Sequence, residues 1–211
     1  MKIAIIITSV LSLISSVLVI YYSFGYEDLF KVILYLLLAI SCVGAAIKYT
    51  VGNSAYGYRG LGDVFVFLFF GWVGTIATYY LYSHTIDWLL FLPATSLGLF
   101  STAVLNMNNM RDVENDAQMN KNTLVVKMGF EKAKLYQYSL IFAGMFSFFI
   151  FGALTFNKVW QFLMFLLFIP FFQHIDKVKN TQIPRELDSE LKKIAMTTFF
   201  ISLAYFITQI L

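Results

Sequence analysis

The stretch VFVFLFFGWVGTIATYYLY, residues 64–82, decides the fold class of this 211-residue chain. It contains no charged side chain, and its length is close to the 20 or so apolar residues that a helix needs to cross a membrane. Six more stretches have the same character on either side of it. The sequence therefore predicts an all-α, multi-pass bundle of seven transmembrane helices in a lipid bilayer, over residues 3–22, 29–47, 64–82, 88–105, 135–155, 159–173 and 194–210.

The composition supports this prediction and excludes several classes of protein. Hydrophobic residues make up 59% of the chain and charged residues 13%, whereas about 25% of the residues in a typical soluble domain are charged. An ordinary soluble domain is therefore excluded. The single cysteine, Cys42, rules out an intrachain disulfide framework and a cysteine-based zinc site. The net charge of +3 is too small to indicate a nucleic-acid-binding surface. We therefore do not expect nucleic acid as a partner.

The basic residues predict how the bundle is oriented. If the N-terminus is cytoplasmic, all of the 15 Lys and Arg residues except Lys31 and Lys158 fall on the cytoplasmic side. This bias predicts a cytoplasmic N-terminus and a C-terminus on the opposite side. The longer connections, 48–63, 106–134 and 174–193, then share the cytoplasmic face, and function is expected there. Pro170 is expected to bend or stop the sixth helix.

The most informative polar segment is NMNNMRDVENDAQMNKNTL, residues 106–124, which directly continues the fourth span. Its Asn108, Asp112 and Asp116 are four residues apart and would stack on one helix face. Oxygen donors of this kind suit Mg²⁺, which proteins often share between carboxylates and substrate phosphates. Arg111 and Lys121 are placed to meet phosphate oxygens. The alternative interpretation is a solvated, mixed-charge loop at the membrane surface.

Two motifs resemble the UbiA superfamily of intramembrane prenyltransferases. The string NNMRDVEND of residues 108–116, followed by KNTL of 121–124 and Met128-Gly129, resembles the second aspartate-rich motif of that superfamily. YTVG of residues 49–52 and YGYRGLGD of residues 56–63 resemble the loop that precedes it, and the match is closest in the branch that prenylates a naphthoate. The resemblance covers nearly the whole chain.

The resemblance implies a single transmembrane prenyltransferase domain over residues 1–211 and a nine-helix fold, of which the seven spans would be the third to the ninth. The first motif of the superfamily, NDxxDxxxD, has no counterpart in this sequence. The expectation is therefore a chain truncated at its N-terminus, without the first two helices and inactive alone. Two alternatives remain open: a second polypeptide that supplies the missing helices, and a degenerate, non-catalytic relative that has lost them. Asn120 stands where the superfamily usually has Gly, and it is expected to keep the turn by adopting a positive φ.

The function implied by the resemblance is transfer of a polyprenyl chain from polyprenyl diphosphate to 1,4-dihydroxy-2-naphthoate at the inner, cytoplasmic membrane. Carbon dioxide would be lost, and demethylmenaquinone would form in menaquinone synthesis. Other acceptors remain open, namely 4-hydroxybenzoate, homogentisate or a haem, as does a non-catalytic membrane carrier. The implied site comprises catalytic Asp112 and Asp116, Mg²⁺ ligands Asn108, Asp112 and Asp116, diphosphate-binding Arg111 and Lys121, and an acceptor pocket of Tyr49, Tyr56, Tyr58 and Asn109.

The remaining candidates have structural interpretations. Asp63 begins the third span and is expected to cap its helix. His84 and His174 are expected at the membrane interface. Gly71, Trp72 and Gly74 are expected to serve close helix packing.

Overall fold

The computed structural model describes residues 2–52 and 55–210, and these form helices with no β-strand among them. Seven helices are long and apolar enough to cross a membrane, so the chain is an integral membrane protein. Two short helices, α5 and α6, lie in the connection after the fourth long helix. The bounds are α1 Lys2–Phe24, α2 Leu29–Thr50, α3 Gly62–Ser83, α4 Trp88–Arg111, α5 Val113–Gln118, α6 Leu124–Met128, α7 Phe130–Thr155, α8 Val159–Asn180 and α9 Pro184–Ile210.

The main core lies among α4, α7, α8 and α9. Its fully buried side chains include Phe100, Met107, Ile141, Phe171 and Ile194. Helices α1 and α2 bury little: Ile20, Phe24 and Tyr35 form a small separate cluster against α3, while most apolar side chains of α1 and α2 are exposed. Because hydrocarbon cannot hydrogen-bond to a backbone, exposed apolar helices of this kind are suited to lipid.

Helices α3 and α4 approach each other through glycines. A Cβ atom added at Gly71 would lie 2.7 Å from the carbonyl oxygen of Ala94 and 2.8 Å from the Cα of Gly98. Beside this contact, the Trp72 indole donates a hydrogen bond to the Thr95 hydroxyl. The expectation that Gly71 and Trp72 serve close helix packing is confirmed. The contact fixes the start of α3 beside the end of α4, where the polar residues lie.

Pro170 does not stop the sixth long helix, so that part of the expectation is wrong, whereas a bend at Pro170 stays a prediction. Helix α8 continues from Val159 to Asn180. Its first part, Val159–Phe168, is a 3₁₀-helix, and Pro170 lies in the first turn of the α-helical part, Ile169–Asn180. Proline is well tolerated in a first turn, since its missing N–H has no intrahelical partner there.

His174 lies in a buried polar network, not at the membrane interface as expected. Asn106 donates to the Gln137 side-chain oxygen at 2.8 Å, and the Gln137 nitrogen lies 3.1 Å from His174 Nε2. His174 Nδ1 lies 2.8 Å from Glu190, which also accepts from Lys193 at 2.7 Å. The network joins α4, α7, α8 and α9 with hydrogen bonds inside the apolar core.

We expect His174→Leu to destabilise the bundle by about 3 kcal/mol, because it leaves the Gln137 amide and one Glu190 oxygen buried without their partner. Thermal unfolding in detergent measures the loss. The matched control is His84→Asn, since His84 is exposed and has a positive φ that asparagine tolerates. Equal melting temperatures for the two variants would show that the network does not stabilise the fold.

Candidate active site

The predicted acidic face forms where α4 passes into α5. The Asp112 N–H donates to the Asn108 carbonyl at 3.1 Å, and the Asp116 N–H donates to the Asp112 carbonyl at 2.8 Å. Helical hydrogen bonds therefore continue from one residue of the set to the next, although Asp112 itself lies between the two helices. The three oxygen-bearing side chains follow one another at the spacing that the sequence predicted.

Arg111 lies at the centre of this cluster. Its Nε and one Nη donate to the two carboxylate oxygens of Asp112, each at 2.8 Å. The same guanidinium donates to the Asn108 side-chain oxygen and to Asp188 of α9, each at 2.9 Å. The Arg111 guanidinium lowers the pKa of the Asp112 carboxyl below its usual value. Asp112 is thus held as an anion, and α9 is tied to the end of α4.

Asp116 and Lys121 form a second ion pair. The Lys121 ammonium lies 2.9 Å from Asp116, whose residue surface is 4% exposed. The intervening turn closes because the Lys121 N–H donates to the Asp116 carbonyl at 2.8 Å. Asn120 in this turn has a φ of +53°, which confirms the expectation that it adopts a positive φ in place of glycine.

The connection before α3 docks on this cluster. The Asn122 N–H donates to the Tyr58 carbonyl at 3.0 Å, and the Lys127 ammonium donates to the Arg59 carbonyl. Gly60 makes the close approach possible: its φ is +79°, and a Cβ there would lie 3.1 Å from the Lys127 nitrogen. We call this contact between residues 56–60 and 122–127 the loop seam.

We expect Gly60→Ala to open the loop seam, because alanine is strained at this φ and its Cβ crowds Lys127. Amide hydrogen exchange should accelerate about tenfold in both 56–60 and 122–127, as expected from a strain of about 1–3 kcal/mol. Gly52→Ala is the control, since Gly52 also has a positive φ but no atom within 4 Å of the added Cβ. Unchanged exchange in 122–127 would show that the seam does not depend on Gly60.

The structure brings two of the three candidate tyrosines together. The rings of Tyr49 and Tyr56 meet edge to face at 5.5 Å, and Tyr56 stacks on Phe65 at 4.0 Å. Both tyrosines line one end of an apolar cavity of about 910 Å³ between α1, α2 and α3. Tyr58 is 42% exposed and does not line this cavity, while Asn109 is buried on α4. An acceptor pocket formed by these residues stays a prediction.

The sequence did not predict that Asp63 is buried or that it interacts with Tyr136. Asp63 lies inside the first turn of α3, after Leu61 and Gly62, so it does not occupy the capping position expected for it. It is 5% exposed, its Oδ1 is buried without a hydrogen-bond partner, and the Tyr136 hydroxyl of α7 is near enough to interact with the carboxylate. The one sequence feature that could have indicated the burial of Asp63 is its position directly before an apolar stretch.

Comparison with known proteins identifies the family. The sequence profile of the UbiA prenyltransferase family matches residues 1–204. The chain belongs to the UbiA prenyltransferase family. No solved structure matches this member of the family significantly.

The names of several relatives state which groups these proteins transfer or act on. A 1,4-dihydroxy-2-naphthoate octaprenyltransferase of Haemophilus influenzae is 39% identical over 86% of this UbiA-family chain and 59% of its own length. The protein of the same name from Escherichia coli is 41% identical over 81% of this chain and 54% of its own length. A 2-carboxy-1,4-naphthoquinone phytyltransferase of Synechocystis is 27% identical over 69% of this chain and 48% of its own length. The chain thus spans a little over half the length of the first two relatives.

Prenyltransferases of the UbiA family generally use a divalent metal. Asn108, Asp112 and Asp116 offer the hard oxygen donors that Mg²⁺ prefers. Within residues 2–52 and 55–210, however, no three His, Cys, Asp or Glu side chains converge as a ready-made metal cluster. The donors present therefore fit an ion that takes its remaining ligands from a diphosphate and water, and they do not form a closed protein cage.

Proposed function

We propose that this protein transfers a polyprenyl chain from polyprenyl diphosphate to 1,4-dihydroxy-2-naphthoate, with loss of carbon dioxide and diphosphate, to give demethylmenaquinol, the reduced form of demethylmenaquinone. The observation that carries the proposal is the pair of carboxylate–cation contacts, Asp112–Arg111 and Asp116–Lys121, at one end of an apolar helix bundle. Such a bundle is suited to a lipid-soluble chain, and such a polar end is suited to its diphosphate. The names of the two bacterial relatives support naphthoate as the acceptor.

The residues have distinct roles in this reaction. Asn108, Asp112 and Asp116 would hold Mg²⁺, which neutralises diphosphate charge when bound. Arg111 and Lys121 donate hydrogen bonds to diphosphate oxygens, where negative charge grows as the allylic carbon–oxygen bond breaks. Tyr49 and Tyr56 line the acceptor pocket, and Tyr58 and Asn109 are proposed as further acceptor contacts outside the cavity that the two tyrosines share. Apolar and aromatic side chains exclude water from the allylic cation until the electron-rich ring attacks it.

We further propose that the protein lies in the cytoplasmic membrane with the acidic site facing the cytoplasm. The N-terminus of this chain is then cytoplasmic and its C-terminus lies outside. The distribution of Lys and Arg along the sequence supports this orientation. The active site would thus face the aqueous compartment that supplies both the charged diphosphate head group and the naphthoate.

The test is an assay in membranes of a host that lacks its own naphthoate prenyltransferase. The longest reading frame that contains this chain is expressed, and Mg²⁺ and octaprenyl diphosphate are supplied with each aromatic acceptor in turn. We expect product with 1,4-dihydroxy-2-naphthoate and release of one carbon dioxide per turnover. Product with only 4-hydroxybenzoate or homogentisate would overturn the proposed acceptor, and no product with any of them would overturn the transferase function.

Lys121→Ala is expected to raise the KM for the prenyl donor about 10- to 100-fold, with a smaller change in the KM for the acceptor. The reason is the loss of a hydrogen bond from a charged donor, worth about 1.5–3 kcal/mol. Steady-state kinetics with each substrate varied separately measures the difference. Lys132→Ala is the control, since Lys132 is an exposed lysine of the same face. A change confined to the KM for the acceptor would contradict this role and assign Lys121 to the acceptor pocket.

A further inference from the structure

Asp63 differs from the two carboxylates of the acidic motif in its partners. Asp112 and Asp116 each have a cationic side chain within 2.9 Å. Among the described residues, no Lys, Arg or His forms an ion pair with Asp63, although it is almost fully buried. Its Oδ1 is buried and accepts no hydrogen bond from the protein. A carboxylate in such surroundings is unusual, because burial of an uncompensated charge is costly.

The surroundings of Asp63 place it at the acceptor side of the proposed site. Two titratable groups face it, the hydroxyl of Tyr136 on α7 and the hydroxyl of Tyr49 on α2. Tyr49 also interacts electrostatically with Asp116. A Cβ added at the neighbouring Gly62 would lie 3.4 Å from the Tyr49 ring. Tyr136 is only half-buried, so a ligand can approach it without displacing the enclosed carboxylate.

We propose that Asp63 and Tyr136 form a proton relay to the hydroxyl group of the aromatic acceptor, an inference that rests on the proposed function. Tyr136 contacts the acceptor hydroxyl, and Asp63 is the base behind it. The assignment follows from the contrast among the three carboxylates. Two of them each lie against a cationic side chain, Arg111 or Lys121, whereas the buried Asp63 has no cationic partner and is available to accept a proton.

The protons and electron pairs of this relay balance without any further reactant. The acceptor hydroxyl gives its proton to the Tyr136 oxygen as the Tyr136 proton passes to Asp63, which leaves an acceptor anion and a neutral Asp63. An electron pair of the anion forms the bond from the ring carbon to the allylic carbon, and diphosphate leaves with the pair of the broken carbon–oxygen bond. Loss of carbon dioxide from the same ring carbon returns an electron pair to the ring. The product oxygen then takes back the proton from Asp63 through Tyr136.

The experiment compares the wild type with Asp63→Asn, Tyr136→Phe and the double variant, in the longest reading frame that contains the chain. We expect each single variant to lower kcat about 10²–10⁴-fold, the range for loss of a general base. The KM for the prenyl donor and the slow release of diphosphate without acceptor should stay as in the wild type. Because both residues serve one proton path, the double variant should be no slower than the worse single variant.

A pH profile separates this role from a merely structural one. When the base is lost, hydroxide can remove the acceptor proton, so the rate of Asp63→Asn should rise about tenfold per pH unit where the wild-type rate is flat. Three results would overturn the relay: wild-type kcat in Asp63→Asn, an equal loss of acceptor-free diphosphate release, or multiplicative losses in the double variant.

Failure of the relay is distinguishable from failure of the proposed function. The variants are assayed with whichever hydroxylated aromatic acceptor the wild type uses. A wild type that uses 4-hydroxybenzoate in place of naphthoate overturns the proposed acceptor but leaves the relay to be decided by the same variants. A wild type that prenylates no hydroxylated aromatic compound overturns both.

Discussion

Asp112→Asn is expected to lower the rate of prenyl transfer by two to four orders of magnitude while the protein still inserts into the membrane. The substitution keeps the shape of the side chain but removes the charge that holds Arg111 and would help to hold the metal. A loss of this size is typical when one preorganised electrostatic group is removed from an active site. The measurement is kcat in the longest reading frame containing the chain, at saturating donor and Mg²⁺.

The matched control for Asp112→Asn is Glu114→Gln. Glu114 lies two residues away in the same acidic segment, but its side chain is exposed and Glu114 is not among the proposed site residues. We expect it to retain the wild-type rate, which shows that loss of one negative charge in this segment is not itself harmful. Wild-type turnover by Asp112→Asn would remove this residue from the catalytic site. Equal losses in both variants would indicate a general charge effect.

Gly71→Val is expected to prevent α3 and α4 from packing and to abolish the folded protein. A Cβ at this position would overlap backbone atoms of α4, at 2.7 Å from Ala94 and 2.8 Å from Gly98, so no side-chain rotation relieves the clash. Gly44→Val is the control, because Gly44 lies in α2 with no atom within 4 Å of an added Cβ. Yield of monodisperse protein in detergent measures the effect, and equal yields would contradict the tight contact.

The features that the sequence predicted correctly are those that depend on the local pattern of residues. Seven apolar stretches predicted the seven long helices, because a membrane-spanning helix needs only length and hydrophobicity. The four-residue spacing of Asn108, Asp112 and Asp116 agrees with the helical hydrogen bonds that join them, whereas their common face toward a ligand stays a prediction. The positive φ of Asn120 followed from the known tolerance of asparagine for that conformation.

The parts that the sequence did not predict depend on contacts between distant segments. His174 was placed at the interface because a lone histidine near a helix end gives no sign of Gln137 or Glu190, which lie on other helices. Asp63 was interpreted as a helix cap for the same reason, since its neighbours Tyr49 and Tyr136 belong to α2 and α7. A stop at Pro170, one of the two outcomes expected there, does not occur, and the preceding 3₁₀ turns that place Pro170 in a first turn cannot be recognised in an apolar run.

The loop seam has a consequence for the order in which the protein is made. The Lys127 ammonium and the Arg59 carbonyl that it contacts are 68 residues apart in the chain. Translation proceeds at about 5–20 residues per second, so the segment around Tyr58 waits roughly 3–14 s for its partner to emerge. During that interval α3 and α4 are being inserted, and the Tyr58 and Arg59 carbonyls lack the donors that they have in the folded protein. The loop seam is therefore among the contacts that form late, because it has to wait for the acidic segment to be synthesised.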